Sequence, residues 1–193
     1  MKRFLPLLLI IGCSTAPKVF QPNEIGVSPR TGFLDNETVD LALFDGRINN
    51  EYSDELITQI KNQLIRTYPS ANFNILPSNE FYRDSNPNRI TIKISVMSYY
   101  AGFGSDVKVG VGAIGGEFGY GIIPEGKWNG ITGFTVNIYD GRNNSGKKFS
   151  NNIGNVVSLS NLYGYKTARE ALDKSYKQSM QELLFFIDNS LMK

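Results

Sequence analysis

Histidine is absent from this 193-residue chain, and cysteine occurs once, at position 13. The first absence removes the side chain that most often serves as a general base or as a metal ligand. A lone cysteine can form no internal disulfide, so Cys13 is either an attachment point or a free thiol. Catalysis would have to rest on carboxylates, hydroxyls or lysines. These shortages favour a non-catalytic protein that uses no metal and no cofactor.

The apolar run at the N-terminus is also too short to span a membrane. The run extends from Phe4 to Ile11, whereas a helix needs roughly 20 apolar residues to cross a hydrocarbon core. Lys2 and Arg3 precede it, and a charged start before a short apolar run is typical of a secretory signal peptide. We therefore predict that residues 1–12 are a signal peptide.

The mature chain has no excess of basic or of acidic residues. Loss of Lys2 and Arg3 with the signal peptide lowers the 20 basic residues to 18, which equals the 18 acidic residues. A balanced charge gives no indication of nucleic acid as a partner, because nucleic-acid binding needs a basic surface.

The end of the signal peptide, Ile10-Ile11-Gly12-Cys13, resembles the lipobox of bacterial lipoproteins. In those proteins a diacylglycerol thioether forms on the cysteine and the chain is cut just before it. The resemblance implies that Cys13 is the acylated N-terminus, since several acyl chains hold a protein firmly to a bilayer. Ser14, rather than aspartate, implies retention at the outer membrane. The alternative is an ordinary signal peptide with a stray cysteine near the cleavage site.

Residues 13–37 are predicted to be a lipidated N-terminus and a flexible tether, because this stretch has three prolines and no sustained periodicity. Residues 38–193 are then predicted to form a single domain on the periplasmic side of the membrane. Its hydrophobic fraction of 41% is ordinary for a globular protein.

Hydrophobic periodicity within the domain predicts two helices and five strands. Ser53 is expected to cap the first helix, and Thr167 and Glu170 match the capping box of the second. In the strand from Ile90 to Val96, alternation predicts one buried face and one solvent-exposed face. The strands are expected over 39–44, 73–75, 90–96, 128–139 and 147–153. This order predicts an α+β two-layer sandwich, in which a mixed sheet carries both helices on one face and a Gly-rich hairpin insertion.

Apolar positions of the second helix recur at three- and four-residue spacing, which predicts a buried stripe. We expect Leu172, Tyr176, Met180 and Leu183 to pack against Ile92, Ile94, Phe134 and Val136. The run from Leu184 to Ile187 suggests that the last turns are enclosed on more than one side.

A glycine-rich stretch from Val107 to Gly121 contains the pattern G-x-G-x-x-G. A dinucleotide-binding loop of this kind must open a helix whose amides hold the pyrophosphate. Further glycines and Pro124 follow, and each glycine would cost a helix about 1 kcal/mol. The stretch is therefore not predicted to bind a nucleotide.

The same stretch has a period of two, which predicts a hairpin that turns near Gly115 and Gly116. Strand glycines often mark close backbone approach, so we interpret the hairpin as a contact surface for a second subunit or another partner. A flexible extension of two strands and insertion into a membrane are the alternatives. The predicted contact residues are Val107, Val109, Gly110, Val111, Gly112, Gly115, Gly116, Phe118, Tyr120 and Ile122.

Two sequences, Phe44-Asp-Gly-Arg47 and Tyr139-Asp-Gly-Arg142, echo each other. Asp45 and Asp140 could coordinate calcium with neighbouring asparagines, although neither matches a calcium loop. The other interpretation is that each Asp-Gly pair forms a turn after a strand.

The layout of lipobox, proline-containing segment, strand-helix-strand unit, polar hairpin and C-terminal helix resembles that of small bacterial envelope lipoproteins. It is most similar to the YajG-type and ABC-transport-auxiliary lipoproteins, and more loosely to penicillin-binding-protein activators and curli-secretion lipoproteins. The resemblance implies a non-enzymatic accessory or structural subunit of an envelope complex, or a homo-oligomer. The alternative function is binding of a lipid or small ligand, which would need an apolar cavity between the helices and the sheet.

Overall fold

The five strands of the chain form one mixed sheet in the order β2-β1-β3-β4-β5. The computed structural model describes residues 16–26, 28–32, 34–104, 126–142 and 146–192. The elements are β1 (Thr38–Asp45), α1 (Ser53–Thr67), β2 (Asn72–Leu76), β3 (Ile90–Phe103), β4 (Lys127–Asp140), β5 (Lys147–Ser160) and α2 (Tyr165–Leu191), with a 3-10 turn at Ser78–Glu80. This arrangement confirms the predicted α+β class.

Strand β1 is parallel to both of its neighbours, β2 and β3, and α1 makes the crossover from β1 to β2. Strands β3, β4 and β5 are antiparallel, and the predicted polar hairpin brings Asp140 opposite Lys147. The register of β3 shifts between Val96 and Ser98, which marks a bulge. Strand β5 extends to Ser160, seven residues beyond its predicted end at Ile153.

Both helices pack on the same face of the sheet, and the predicted buried stripe is confirmed. Side chains from both helices and from β1, β3, β4 and β5 belong to one buried apolar cluster. Burying such side chains contributes about 1.5 to 3 kcal/mol each. The buried set includes Ile92, Ile94, Phe134, Val136, Leu172, Tyr176, Met180 and Leu183.

Strand β4 and helix α2 approach each other most closely at Gly130. A Cβ atom at this position would lie 2.1 Å from the carbonyl carbon of Ala171. The helix residues along this line are small: Ala171 is followed one and two turns later by Ser175 and Ser179, and all three are buried. The hydroxyl of Ser179 donates to the backbone oxygen of Thr132 at 3.1 Å. A glycine on the strand and small residues on the helix therefore allow close packing of the two backbones.

The polar face of β3 differs from the prediction that it is solvent-exposed. Thr91 and Ser95 are buried, because the segment between β2 and β3 folds back across this face. In that segment Phe81 packs on Phe44 of β1, with ring centroids 5.3 Å apart. The expected enclosure of the last turns of α2 is also wrong at Phe185, which is largely exposed.

The predicted helix caps are wrong. Helix α1 begins after Tyr52, which has a left-handed backbone, and Ser53 instead hydrogen-bonds to Asp45. Helix α2 begins two residues before Thr167, whose hydroxyl oxygen accepts a hydrogen bond from the backbone amide of Tyr163 at 3.1 Å. Glu170 pairs with Lys174 one turn later at 2.8 Å. In each case a nearby partner takes the side chain away from the helix amides.

Candidate functional site

The predicted contact residues of the glycine-rich hairpin, from Val107 to Ile122, and the predicted lipidation residue Cys13 lie outside the described residues. The structure does place the strand ends that flank the glycine-rich segment. Phe103 at the end of β3 pairs with Trp128 at the start of β4. The segment therefore leaves and re-enters the sheet between two adjacent antiparallel strands, at one end of the molecule.

The segment predicted as a tether packs on the domain over most of its length. We call its described residues from Lys18 to Glu37 the N-terminal strap. Leu34 of the strap is buried, and Val19, Phe20 and Ile25 pack against the main core. These apolar residues, spaced between the prolines, explain why the strap does not hang free.

Polar contacts fix the strap to both helices. Asn23 donates a hydrogen bond to Asp173 of α2 at 2.6 Å, and its backbone oxygen accepts one from Gln59 of α1 at 3.2 Å. Glu24 forms an ion pair with Arg66 of α1 at 3.1 Å. The strap therefore contacts α1 and α2 at the same level, which places it along the line where the two helices meet.

The far end of the strap is held by a buried polar cluster. Arg30 forms an ion pair with Asp188 near the end of α2, and its backbone amide donates to the oxygen of Thr67 at 2.6 Å. The hydroxyl of Tyr68 donates to the other oxygen of Asp188 at 2.7 Å. Burial and the adjacent Asp188 carboxylate raise the pKa of Tyr68, so the phenol stays a neutral donor.

The near end of the strap reaches the end of the sheet from which the glycine-rich segment departs. Lys18 exchanges two backbone hydrogen bonds of 2.7 Å with Ala101 of β3. Its ammonium lies 5.4 Å from the ring centroid of Tyr165, the first residue of α2. Lys18 is five residues from Cys13, a span of at most about 18 Å for an extended chain. The predicted lipid attachment is therefore restricted to this end.

This end carries a buried Trp128, a partly buried Phe103 and three exposed apolar side chains, and we call the set the aromatic end: Phe103, Trp128, Leu162, Tyr163 and Tyr165. The ring of Trp128 packs on Phe103 at 5.2 Å and on Tyr165 at 5.8 Å between centroids, and its indole N–H donates to Asn161 at 3.1 Å. Leu162 and Tyr163 project beyond this cluster, with 75% and 72% of their surfaces exposed. Tyr165 is 58% exposed.

The sequence analysis did not single out the aromatic end. A signal was present in Leu162-Tyr-Gly-Tyr165, where Leu162 and Tyr163 occupy a loop and Tyr165 begins the helix that follows. Loops are more often polar, so large apolar residues there indicate a surface with a binding role.

The opposite face of the sheet holds a groove of about 380 Å³. Phe81 and Tyr82 form one side of the groove, and polar residues of β3, β4 and β5 form its floor. In the described part of the chain, buried side chains of both helices and of the sheet pack in the layer where the alternative function would need a ligand cavity.

The repeated Asp-Gly-Arg sequences form ion pairs rather than the calcium sites considered as an alternative. In each repeat the arginine donates hydrogen bonds to both oxygens of its own aspartate, from Arg47 to Asp45 at 2.8 and 2.7 Å and from Arg142 to Asp140 at 3.0 and 2.8 Å. Burial opposes ionisation of Asp45, but hydrogen bonds from Arg47 and Ser53 hold its pKa below the usual value. A hydrogen bond from Arg142 likewise lowers the pKa of Asp140.

Each pair serves the packing of a different end of the fold. Arg47 is buried and also donates to the backbone oxygen of Tyr99 at 3.3 Å. Arg142 donates to the backbone oxygen of Leu191, at the end of α2, at 3.4 Å. A cation at a helix C-terminus stabilises the exposed carbonyl groups there. Both arginines therefore act as structural residues in this arrangement.

Two tyrosines whose pKa values are strongly raised also belong to the core. Burial raises the pKa of Tyr99 and Tyr176, whose rings pack edge to face at 5.7 Å between centroids. Within the described ranges, no cluster of three or more metal-ligating side chains occurs. In the same part of the chain, no helix is long and apolar enough to cross a bilayer.

No protein-family model matches the sequence, and no curated protein sequence matches it. Several solved structures are similar to this chain at low sequence identity. The hypothetical protein CT253 from Chlamydia trachomatis is 11% identical, with a TM-score of 0.46, and the match covers 80% of this chain and 98% of that protein.

Two other similar structures are the PelC dodecamer from Paraburkholderia phytofirmans and the lipoprotein GNA1162 from Neisseria meningitidis. The first is 14% identical, with a TM-score of 0.37 and coverage of 78% and 92%. The second is 12% identical, with a TM-score of 0.35 and coverage of 74% and 96%. Similarity at this level carries no inference about the function of this chain.

Proposed function

We propose that the chain is a non-catalytic lipoprotein, anchored to the periplasmic side of the outer membrane by acyl chains on Cys13, that serves as an accessory or structural subunit of a cell-envelope complex. The observation that carries this proposal is the course of the N-terminal strap. Because the strap is fixed to both helices up to Lys18, only five residues separate the domain from the proposed anchor.

A short connection limits how far the domain can move from the membrane. If residues 13–37 were free, they could extend about 80 Å, whereas five residues extend at most about 18 Å. A domain held this closely suits a subunit that contacts partners at the membrane surface.

Two regions are available for a protein partner. Among the described strands β5 lies at the edge of the sheet, so a strand of another protein could pair with its first residues, around Asn151. The glycine-rich segment between β3 and β4 is the second region, as predicted from its sequence. A second copy of this chain or a different envelope protein could bind at either region.

Lipidation is tested on the protein from its native host. Mass spectrometry should find an acylated peptide that begins at Cys13, and Cys13→Ser should release the protein from the membrane fraction. An unmodified N-terminus, or cleavage beyond Ala16, would refute the anchor.

The subunit role is tested by site-specific photocrosslinking in intact cells. A photoreactive residue at Asn151, an exposed position of β5, should capture a discrete protein, whereas one at the exposed Thr58 of α1 should not. Equal capture from both positions, or none from Asn151 and the glycine-rich segment, would count against a partner at these regions.

A further inference from the structure

We propose that the aromatic end is a membrane-contacting surface, which rests on the phospholipid bilayer with Leu162, Tyr163 and Tyr165 at the level of the lipid headgroups. This inference rests on the proposed lipidation of Cys13 and adds the orientation of the domain. It assigns a binding role to residues of the described fold, and the glycine-rich segment is not part of it.

The first argument is the position of the chain that leads to the anchor. The strap is hydrogen-bonded to β3 at Lys18, beside Tyr165, so the five residues before it start at the aromatic end. An extended five-residue connection spans at most about 18 Å. Helix α2 begins at this end and has 27 residues, so its other end is about 40 Å away. The anchor therefore cannot bring the far end of α2 to the membrane while the strap stays docked.

The second argument is the chemistry of the exposed side chains. Tyrosine carries an apolar ring and a polar hydroxyl, and for that reason it is enriched where hydrocarbon meets water. Tyr163 and Tyr165 are both more than half exposed, and Leu162 between Asn161 and Tyr163 is the most exposed of the three. In water the apolar parts of these side chains are exposed to solvent, whereas a lipid headgroup layer would bury them.

The third argument is charge. The described stretches at this end, residues 16–18, 101–104, 126–128 and 158–168, contain three lysines and no acidic residue. Lys18 and Lys166 each lie over a tyrosine ring, at 5.4 and 5.7 Å from the centroid, and Lys127 opens β4. The nearest carboxylate along α2, Glu170, is paired with Lys174. Lysines beside exposed tyrosines fit anionic headgroups, each contributing about 1 kcal/mol near such a surface.

The test measures the depth of two matched positions in the lipidated full-length protein. Leu162→Cys and Met192→Cys replace exposed apolar residues at opposite ends of α2, and each is labelled with an environment-sensitive fluorophore. The proteins are reconstituted in vesicles of phosphatidylethanolamine and phosphatidylglycerol that contain a lipid with a shallow nitroxide quencher. We expect severalfold stronger quenching at position 162 than at 192. Tyr163→Ser should reduce the quenching at 162, whereas Tyr82→Ser on the opposite sheet face should not.

The results distinguish the proposed orientation of the aromatic end from the proposed lipidation of Cys13. Equal quenching at both positions, with Cys13 acylated, would overturn the orientation and leave the lipoprotein assignment intact. A blue shift at 162 that grows with protein density, without lipid quenching, would show that a second copy covers this end and would also overturn it. A Cys13 that is unmodified, and therefore labelled by the fluorophore itself, would overturn both proposals.

Discussion

Replacing Gly130 with alanine should destabilise the protein through a collision between β4 and α2. The added Cβ would lie 2.1 Å from the carbonyl carbon of Ala171, 2.2 Å from its oxygen and 2.3 Å from the amide nitrogen of Leu172. Real Cβ atoms are essentially never closer than 3.0 Å to such neighbours. The helix backbone must therefore retreat by about 1 Å, because backbone atoms cannot rotate out of the way.

The loss in stability depends on the side chains that α2 contributes to the core. Leu172, Tyr176, Met180, Leu183 and Ile187 are all almost completely buried. A gap of 0.5 to 1 Å loses about a quarter to a half of the dispersion energy of each contact. Overpacking of a core typically costs about 1 to 3 kcal/mol, and we expect about 3 kcal/mol here. For a domain of this size that loss lowers the Tm by about 6 to 12 °C.

Urea unfolding followed by circular dichroism measures the change in the free energy of unfolding. Two further variants serve as comparisons. Gly26→Ala is the control, because nothing lies within 4 Å of a Cβ at that position, and it should change stability by no more than about 0.5 kcal/mol. Adding Ala171→Gly should not rescue Gly130→Ala, since the atoms that collide belong to the backbone of residue 171. An unchanged midpoint for Gly130→Ala would refute the close approach of strand and helix, and rescue by Ala171→Gly would place the collision at a side chain.

Three further predictions concern the core, an ion pair and the glycine-rich segment. Leu183→Ala should lower the free energy of unfolding by about 2 to 5 kcal/mol, as measured by urea denaturation; an unchanged stability would mean that the assigned core face is wrong. Because the hydrogen bond from Arg142 holds the pKa of Asp140 below its usual value, the pair stabilises the fold at neutral pH and stops doing so as the pH falls through the lowered pKa. Asp140→Asn should therefore destabilise the protein at pH 7 by about 1.5 to 3 kcal/mol and weaken the loss of stability on acidification below about pH 4, and an identical acid profile would contradict this. Gly110→Val together with Gly112→Val should weaken self-association or partner binding in crosslinking while the Tm stays nearly the same, and unaltered assembly would count against a contact hairpin.

Regular alternation made the sheet and its buried face predictable. In β3, every second residue from Ile90 to Val96 is apolar and the structure buries all four of them. The α2 stripe was equally clear, since packing against one sheet face selects residues three and four apart. The opposite face of β3 was harder to predict. Thr91 and Ser95 are polar, but a distant segment covers them, and alternation cannot show what lies above a polar face.

Contacts between residues far apart in sequence account for most of what was missed. Gly130 is an ordinary strand glycine until the structure places Ala171 against it. The strap has the composition of a linker, yet Arg30 reaches Asp188 at a separation of 158 residues. Ser53 is a good capping residue by type, but the neighbouring Asp45 takes its hydroxyl. Local propensity is a weak predictor wherever a tertiary contact offers a better hydrogen bond or a better-packed surface.

The docked strap changes what kind of partner the protein can serve. A free tether would let the domain search a volume of periplasm, and binding at a distance would then gain from a long reach. If Cys13 carries the proposed anchor, docking makes the position of the domain depend instead on the five residues before Lys18 and on the surface that those residues bring to the membrane. The ion pair between Arg30 and Asp188 holds the far end of the strap, so the full length of the strap is free only when this pair is broken as well. With the proposed anchor in place, partners of the docked form would be confined to the membrane surface, and any partner that binds only the released form must supply the free energy that undocking costs.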